Sequence, residues 1–382
     1  EGIVSHHAAV IDVGGVGIQI TIFKDGHIVT TQHMDIGTIR LYELLHKPGL
    51  TEKAYRNQIE EYINKKLEVF RALYLDAELD YIIFMNDYGI NFINGMELEA
   101  KGDNLIKTEK FVKYLVKLSK NAKEDIIDEL NLTNDKSNLI IPSIILFKAL
   151  ATKLTAKEVW IPGVNVNDGI AFDYADRNKL LKGFHNFDED VITAALAMSE
   201  HYNSYSTHIE ALTKLTVQVF DAIKRTHGLG SRQRLLLQVA TILHDCGKFV
   251  SLSNSAESAY NIIMSSEIIG LTHLERQIVA LTVLFNSIPL CDYGELDVDI
   301  TKEDYLTAVK LSAILRLSNA LDQSHKQKFK NIKISLREKK MIISVESFED
   351  ISLEQTLFAS KTSYFENVFS IKPVLREKKV MM

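Results

Sequence analysis

Three alternating apolar runs, hinged on glycine, open this chain and constrain what its first half can become. Residues 8–13 end in Asp12-Val13-Gly14-Gly15. Residues 17–23 alternate and meet a turn at Lys24-Asp25-Gly26, and residues 27–36 continue as a third run. Asp-Gly between alternating runs is a strong hairpin signal, so three strands joined by tight turns are expected. Helical periodicity follows over 51–73, with Thr51 as N-cap and Ile59, Tyr62, Ile63, Leu67 and Phe70 as the buried stripe. Residues 81–85 read as a buried strand, 105–133 and 143–153 as helices, and 158–161 as a short strand closed by Pro162-Gly163.

From about residue 167 the pattern is almost wholly helical, with helices near 188–202, 204–226, 231–247, 256–268, 273–286 and 302–323. It then changes again. Residues 332–336 and 341–345 read as strands around Arg337-Glu338-Lys339-Lys340, 353–368 as a helix and 371–376 as a third strand. A multi-domain α+β chain follows, divided as 1–165, 166–328 and 329–382, and 382 residues give room for it. A net charge of −6 provides no global basic field, so any polyanion site must be a local patch. Cys246 and Cys291 do not make a disulfide framework, and a reduced cytoplasmic setting is expected. No apolar run reaches the ~18 residues of a membrane span. The opening Glu1-Gly2-Ile3-Val4-Ser5 is neither an initiator methionine nor a signal peptide, so a segment upstream is expected.

The turn Asp12-Val13-Gly14-Gly15-Val16-Gly17 is the first candidate for chemistry. Glycines let main-chain N–H groups approach a phosphate closely, and a carboxylate at a strand end can hold Mg2+ or its water shell. A glycine-rich hairpin without a ligand fits the same residues equally well.

The stretch resembles the second phosphate loop of the exopolyphosphatase/guanosine pentaphosphate phosphohydrolase family, usually Asp-Ile-Gly-Gly-Gly-Ser-Thr-Glu. Asp12, Gly14 and Gly15 match, while Val16, Gly17, Ile18 and Gln19 stand in place of the third Gly, the Ser, the Thr and the Glu. Asp35-Ile36-Gly37-Thr38-Ile39-Arg40-Leu41, the segment from Ile161-Pro162-Gly163 through Asp168-Gly169-Ile170, and Tyr364-Phe365-Glu366-Asn367-Val368-Phe369-Ser370 are similar to further family segments. Met85-Asn86-Asp87 stands where the family has a glycine pair. The resemblance implies one actin/hexokinase-like (RNase H-like) lobe over 1–165, the second of two that face each other. An all-helical HD-type domain and a small C-terminal α+β cap would follow. It implies release of terminal phosphate from inorganic polyphosphate or guanosine pentaphosphate with Mg2+ and an activated water. Asp12 would support catalysis, Gly14, Gly15, Val16, Gly17 and Arg40 would bind phosphate, and a homodimer would form. Nucleic acid and membrane are not expected as partners. The family's first lobe, with its own loop and catalytic Glu, has no counterpart motif in this sequence, so slow or absent turnover by this chain alone is expected.

A second constellation lies in Leu243-His244-Asp245-Cys246-Gly247-Lys248. An adjacent His and Asp with an earlier His208 is the HD-type metal arrangement, suited to Mn2+, Fe2+, Zn2+ or, less well, Mg2+. The late ligand falls at Asn319 or at Asp322, one turn along. A polar cluster tying helices together accounts for the same residues. Cys246 reads as a small buried residue. Lys326, Lys328 and Lys330 open a basic stretch that could track a polyanion or simply be solvated. Two rival functions follow: a metal-dependent HD phosphohydrolase, and a non-catalytic sensor of polyphosphate or alarmone.

Overall fold

The computed structural model describes residues 5–45, 49–96, 104–133, 137–181 and 186–378. The chain divides into two units, Glu1–Asn186 and Phe187–Met382.

The first unit is built on a six-stranded sheet. Its strands are β1 (Ala8–Val13), β2 (Ile18–Lys24), β3 (His27–Met34), β4 (Leu79–Met85), β5 (Leu105–Lys107) and β6 (Ala156–Trp160), in the order β3-β2-β1-β4-β6-β5. The β1–β2 and β2–β3 pairs are antiparallel, β1–β4 and β4–β6 are parallel, and β5 closes the edge antiparallel to β6. Asp25 and Gly26 both take positive φ (52° and 80°), the conformation that a two-residue hairpin turn matching strand twist requires. A parallel pair needs a long crossover, and the helices Thr38–Leu45 and Glu52–Tyr74 supply it between β1–β3 and β4. Thr51 caps the second helix by accepting from Ala54 N–H at 3.3 Å, and Tyr55, Ile59, Ile63, Leu67 and Phe70 form its buried face. That face packs on the helix Ile140–Lys153, which is apolar nearly all round and correspondingly buried. Pro142 sits in its first turn, where a missing N–H costs nothing.

The sequence reading of 105–133 as helical is corrected in part here. Leu105–Lys107 pairs with β6 as an edge strand, and two helices, Thr108–Leu118 and Lys123–Glu129, follow with a break between them. An open sheet edge offers Ile106 a partner that periodicity along the chain does not record. The helix Asp87–Gly95 was also not expected; Asn86 nucleates it as N-cap. Helix Val166–Arg177 begins on a capping box between Asn165 and Asp168 and has no buried residue.

The second unit gathers the helices Phe187–His201, Ser206–Ala222, Lys224–His227, Ser231–Leu243, Ser255–Ser265, His273–Ser287 and Lys302–Asn319. After them come β7 (Lys330–Arg337), β8 (Lys340–Glu346), the helix Ser352–Phe369 and β9 (Lys372–Lys378). β7 and β8 are antiparallel, and β9 joins β8 in parallel after its helical crossover. Met341, Ile343, Val345, Phe358 and Phe365 share one apolar core with Leu311, Leu315 and the other helices, so the small sheet is packed into this unit. Among the described residues no helix is long and apolar enough to cross a membrane.

Candidate functional site

The glycine loop joins β1 to β2 and is shaped by main-chain bonds. Gly14 N–H donates to Gly17 O at 3.0 Å. The carbonyls of Gly14, Gly15 and Val16 accept from the amides of Thr38 (3.2 Å), of Ile39 and Arg40 (2.8 and 3.1 Å), and of Gly37 (3.1 Å), respectively. The amides of the helix Thr38–Leu45 that would otherwise be orphaned are thus satisfied by the loop. That leaves the amides of Gly15, Val16 and Gly17, which have no hydrogen-bond partner among the described residues. Gly37 rests directly on the loop, for a Cβ there would stand against the backbone of Gly15 and Gly17. The segment from Asp35 to Leu41, singled out in the sequence, is therefore the loop's floor.

Asp12 lies at the end of β1, opposite Gln19 and beside Met85. Burial pushes its carboxyl above the ordinary range, a shift that a bound cation would reverse. Arg40 reaches Asp35 only at 3.6 Å, with both side chains about half exposed, so its guanidinium is weakly held. Asn86 occupies the place expected of a glycine pair. Its side chain donates to Val13 O and accepts from Tyr88 N–H, tying the end of β4 to the end of β1. Ile18, in the position of the family's threonine, opens β2 and is fully buried. No hydroxyl replaces it in the loop.

The second unit brings His208, His244, Asp245 and Asp322 together, as the sequence suggested, and adds His325. His208 is in the first turn of Ser206–Ala222, His244 closes Ser231–Leu243, and Asp245 leads into the 3-10 turn Cys246–Phe249. Gly247 lets that turn run against the next helix, since a Cβ would strike Ser255 O and Ala259 N. Asp322 ends a further 3-10 turn, and His325 N–H donates back to Asp322 O at 2.9 Å.

The two buried histidines are fixed through their Nδ1 atoms. His208 Nδ1–H donates to Asp322 Oδ2 at 2.7 Å, and His244 Nδ1–H donates to Thr241 O at 2.7 Å. Both Nε2 atoms are buried without a hydrogen-bond partner among the described residues. His244 Nε2 stands 3.3 Å from Asp245 Oδ1, whose other oxygen accepts from Lys248 Nζ at 2.7 Å. Ligand atoms of His208, Asp245 and His325 all fall within 4.8 Å of one another. The His325 ring stacks on His208 with centroids 3.9 Å apart.

Burial pushes the His244 imidazole down to about 4, against the pull of Asp245. For Asp245 the upward push of burial is outweighed by His244 and Lys248, which hold it below the ordinary carboxylate range. Asp322 is likewise held low, burial being outweighed by hydrogen bonds from His208 and from Gln327 N–H (2.8 Å) and Nε2 (3.0 Å). Cys246 is fully buried, and burial pushes its thiol up to about 12, which leaves it no nucleophilic role at neutral pH.

Residues 192–362 match the family model described as Ppx/GppA phosphatase, domain III. These residues are similar to that domain. The family matched is the one that the motifs resemble. Among solved structures, the type II variant of the Ppx/GppA phosphatase from Aquifex aeolicus is 14% identical, with 44% of this chain and 56% of that one covered and a TM-score of 0.36. An exopolyphosphatase from Cytophaga hutchinsonii is 14% identical, with 45% and 57% covered and a TM-score of 0.39. The chain thus spans under three-fifths of the length of each. No curated protein matches it.

Within residues 192–362 two sequence expectations need correction. Asp322, expected as a metal ligand, is engaged as an acceptor instead: Oδ2 takes His208 Nδ1–H and Gln327 Nε2–H, and Oδ1 takes Gln327 N–H. Lys328 does not join a polyanion surface: its Nζ donates to Glu354 Oε2 at 3.0 Å and Asp350 O at 2.8 Å, and only 11% of its side chain is exposed. Lys326 and Lys330 are exposed. Asn319 has its Oδ1 buried without a partner among the described residues. The sequence reading missed His325, which stands just before the basic run and reaches the cluster through a left-handed backbone (φ 54°) three residues after Asp322.

Proposed function

We propose that this chain belongs to a phosphoanhydride hydrolase of the exopolyphosphatase or guanosine pentaphosphate phosphohydrolase type. One observation carries the reading: a segment similar to Ppx/GppA domain III follows, in the same chain, a sheet whose first hairpin turns on a glycine loop. The strand order β3-β2-β1-β4-β6, antiparallel then parallel, supports an actin-like (RNase H-like) lobe for the first unit. The helices around His208 and His244-Asp245 support an HD-type domain for the second.

In this reading the amides of Gly15, Val16 and Gly17 bind terminal phosphate oxygens, as fixed dipoles that need no reorganisation. Gly14 shapes the loop through its own bond to Gly17. Asp12 would help hold Mg2+, which would supply charge neutralisation at the phosphate. Arg40 leaves Asp35 to meet the anion. The exposed Lys326 and Lys330 offer positive charge to a polyanion, and the protein works as a homodimer.

Hydrolysis requires phosphate to be gripped from two sides and a water to be activated. The loop described here supplies one side, and Val16, Gly17 and Ile18 supply no hydroxyl. The chain by itself therefore binds polyphosphate or guanosine pentaphosphate but turns it over slowly. The loss of those hydroxyls also favours a second reading, a sensor that binds without hydrolysis. Phosphate release and equilibrium binding, measured with Mg2+ on the 382-residue chain and on a longer chain carrying a first lobe, separate them. The hydrolase reading expects salt-sensitive binding by both, with fast release by the longer and slow or no release by the 382-residue chain. Binding without release by either would favour the sensor. No binding by either would sink both.

A further inference from the structure

We propose that the outward face of the C-terminal sheet binds duplex nucleic acid through its two phosphate backbones, without reading sequence. Nothing in the inference depends on the glycine loop or on the histidine cluster.

The first support is the register of the strands. Side chains alternate between the two faces of a strand. Met341, Ile343 and Val345 of β8 enter the apolar core, so Lys340, Ile342, Ser344 and Glu346 face away from it. Strand pairing then lines up three rows across the outward face. Arg337, Lys340 and Lys372 stand opposite one another, as do Ser335, Ile342 and Val374, and then Lys333, Ser344 and Arg376. Two cationic rows thus flank an uncharged one. Like charges set directly opposite on neighbouring strands repel and cost stability. Lysines on edge strands keep sheets from pairing with one another, but Lys340 is on the central strand.

The second support is the lack of counter-charge. Lys333, Arg337, Lys340, Lys372 and Arg376 are exposed, and none of them is in an ion pair among the described residues. Glu346, the carboxylate on this face, accepts from Asn331 Nδ2 at 2.8 Å. The first unit treats its strand lysines differently. Lys107 stands opposite Glu158 and bonds it at 2.7 Å, and Lys157 bonds Asp80 at 2.7 Å. Residues 330–346 and 372–378 together carry eight Lys and Arg against three Glu, in a chain of net charge −6. Positive charge is concentrated on this sheet, and net charge, which averages over the whole surface, hides it.

The shape of the array selects the partner. The cationic rows lie four residues apart along the strands, about 13 Å at ~3.3 Å per residue. A single polyphosphate thread along one row leaves the other unanswered. A duplex presents two backbones on either side of a groove roughly 6 or 12 Å wide. No aromatic side chain stands in the three rows, so the stacking platform that holds single strands is missing. A bilayer of anionic lipid fits less well. The exposed Phe348 just past β8 is followed by Glu349 and Asp350, which such a surface repels.

The test is fluorescence anisotropy of a short labelled DNA duplex, and of an RNA duplex of the same sequence, titrated with the full chain over a range of salt. Micromolar binding at low salt, indifferent to sequence, is expected. The logarithm of the binding constant should fall against that of salt with a slope of about −4.5 for five contacts. Whichever duplex binds more tightly identifies the source of the backbones. Lys340→Gln and Arg376→Gln should each lower the slope by about one and weaken binding about tenfold near 0.1 M salt. Lys65→Gln, an exposed position in the first unit, should bind like the parent. Lys340→Gln relieves the repulsion from Arg337 and Lys372, so its melting temperature without nucleic acid should equal or exceed the parent's. Unlabelled duplex should compete better than inorganic polyphosphate at equal charge. The reverse order would overturn the proposal. So would no saturable binding of either duplex, undiminished binding by the folded Lys340→Gln/Arg376→Gln chain, or tighter binding to phosphatidylserine vesicles than to both duplexes.

Discussion

The glycine loop and the histidine cluster are polar sites built by opposite means. In the loop, side chains contribute little: amides are left over because neighbouring carbonyls are bonded to the helix Thr38–Leu45. In the cluster, the backbone contributes Thr241 O and Gln327 N–H, and side chains supply everything else. A main-chain site depends on shape and tolerates exchange of exposed residues such as Val16 (57% exposed). A side-chain site depends on residue identity and on outer partners that hold each ring. The hydroxyls absent from the loop thus leave its amides in place, whereas loss of one imidazole would dismantle the cluster.

The comparison is broken most severely by filling the loop's floor. Gly37→Ala places a Cβ against backbone rather than against a side chain that can move away. It should destabilise the first unit by about 3 kcal/mol, at the upper end for overpacking, and abolish phosphate binding. Urea unfolding followed by near-ultraviolet circular dichroism measures it, and an unchanged midpoint would refute the floor. Next in size is the loss of Asp322. Asp322→Ala leaves His208 Nδ1–H and the Gln327 donors without their acceptor and should cost roughly 1–3 kcal/mol in the second unit. Calorimetry that finds no change would mean the carboxylate holds nothing.

A smaller effect distinguishes His227, whose two ring nitrogens are both bonded to backbone, from the orphaned pair. Burial, the largest influence, holds His227 below its ordinary value. The unfolded chain therefore takes up a proton near pH 6.5 while the folded chain does not. Above that pH the ring is neutral in both states and contributes no pH dependence. Stability should fall as pH drops below about 6.5, and His227→Gln should flatten that part of the profile. Smallest of all, Arg40→Ala should change stability by less than about 1 kcal/mol, because its pairing with Asp35 is long and exposed. It should still weaken polyphosphate binding at low salt, measurable by calorimetric titration.

Much of this was legible in the sequence where local signals and tertiary needs agree. The Asp25-Gly26 hairpin and the Thr51-capped helix are examples, since each carries its own turn or cap chemistry. His208, His244, Asp245 and Asp322 were also singled out, because an adjacent His-Asp on an apolar helix is unusual enough to notice. What could not be read depends on partners distant in the chain. Leu105–Lys107 became a strand because β6 had an open edge. Lys328 looked like its basic neighbours, yet Glu354, 26 residues on, draws it inward. Asp322 became an outer partner only because His208 presents Nδ1 to it. His325 was hidden by the lysines that follow it, and only the tight turn after Asp322 returns it to the cluster.

Amide nuclear magnetic resonance of the chain, with inorganic triphosphate and Mg2+ added together, tests the account at its centre. Saturable shifts concentrated at Gly15, Val16 and Gly17, and lost in Asp12→Ala, are predicted. Shifts that leave those three amides untouched while others move would contradict it.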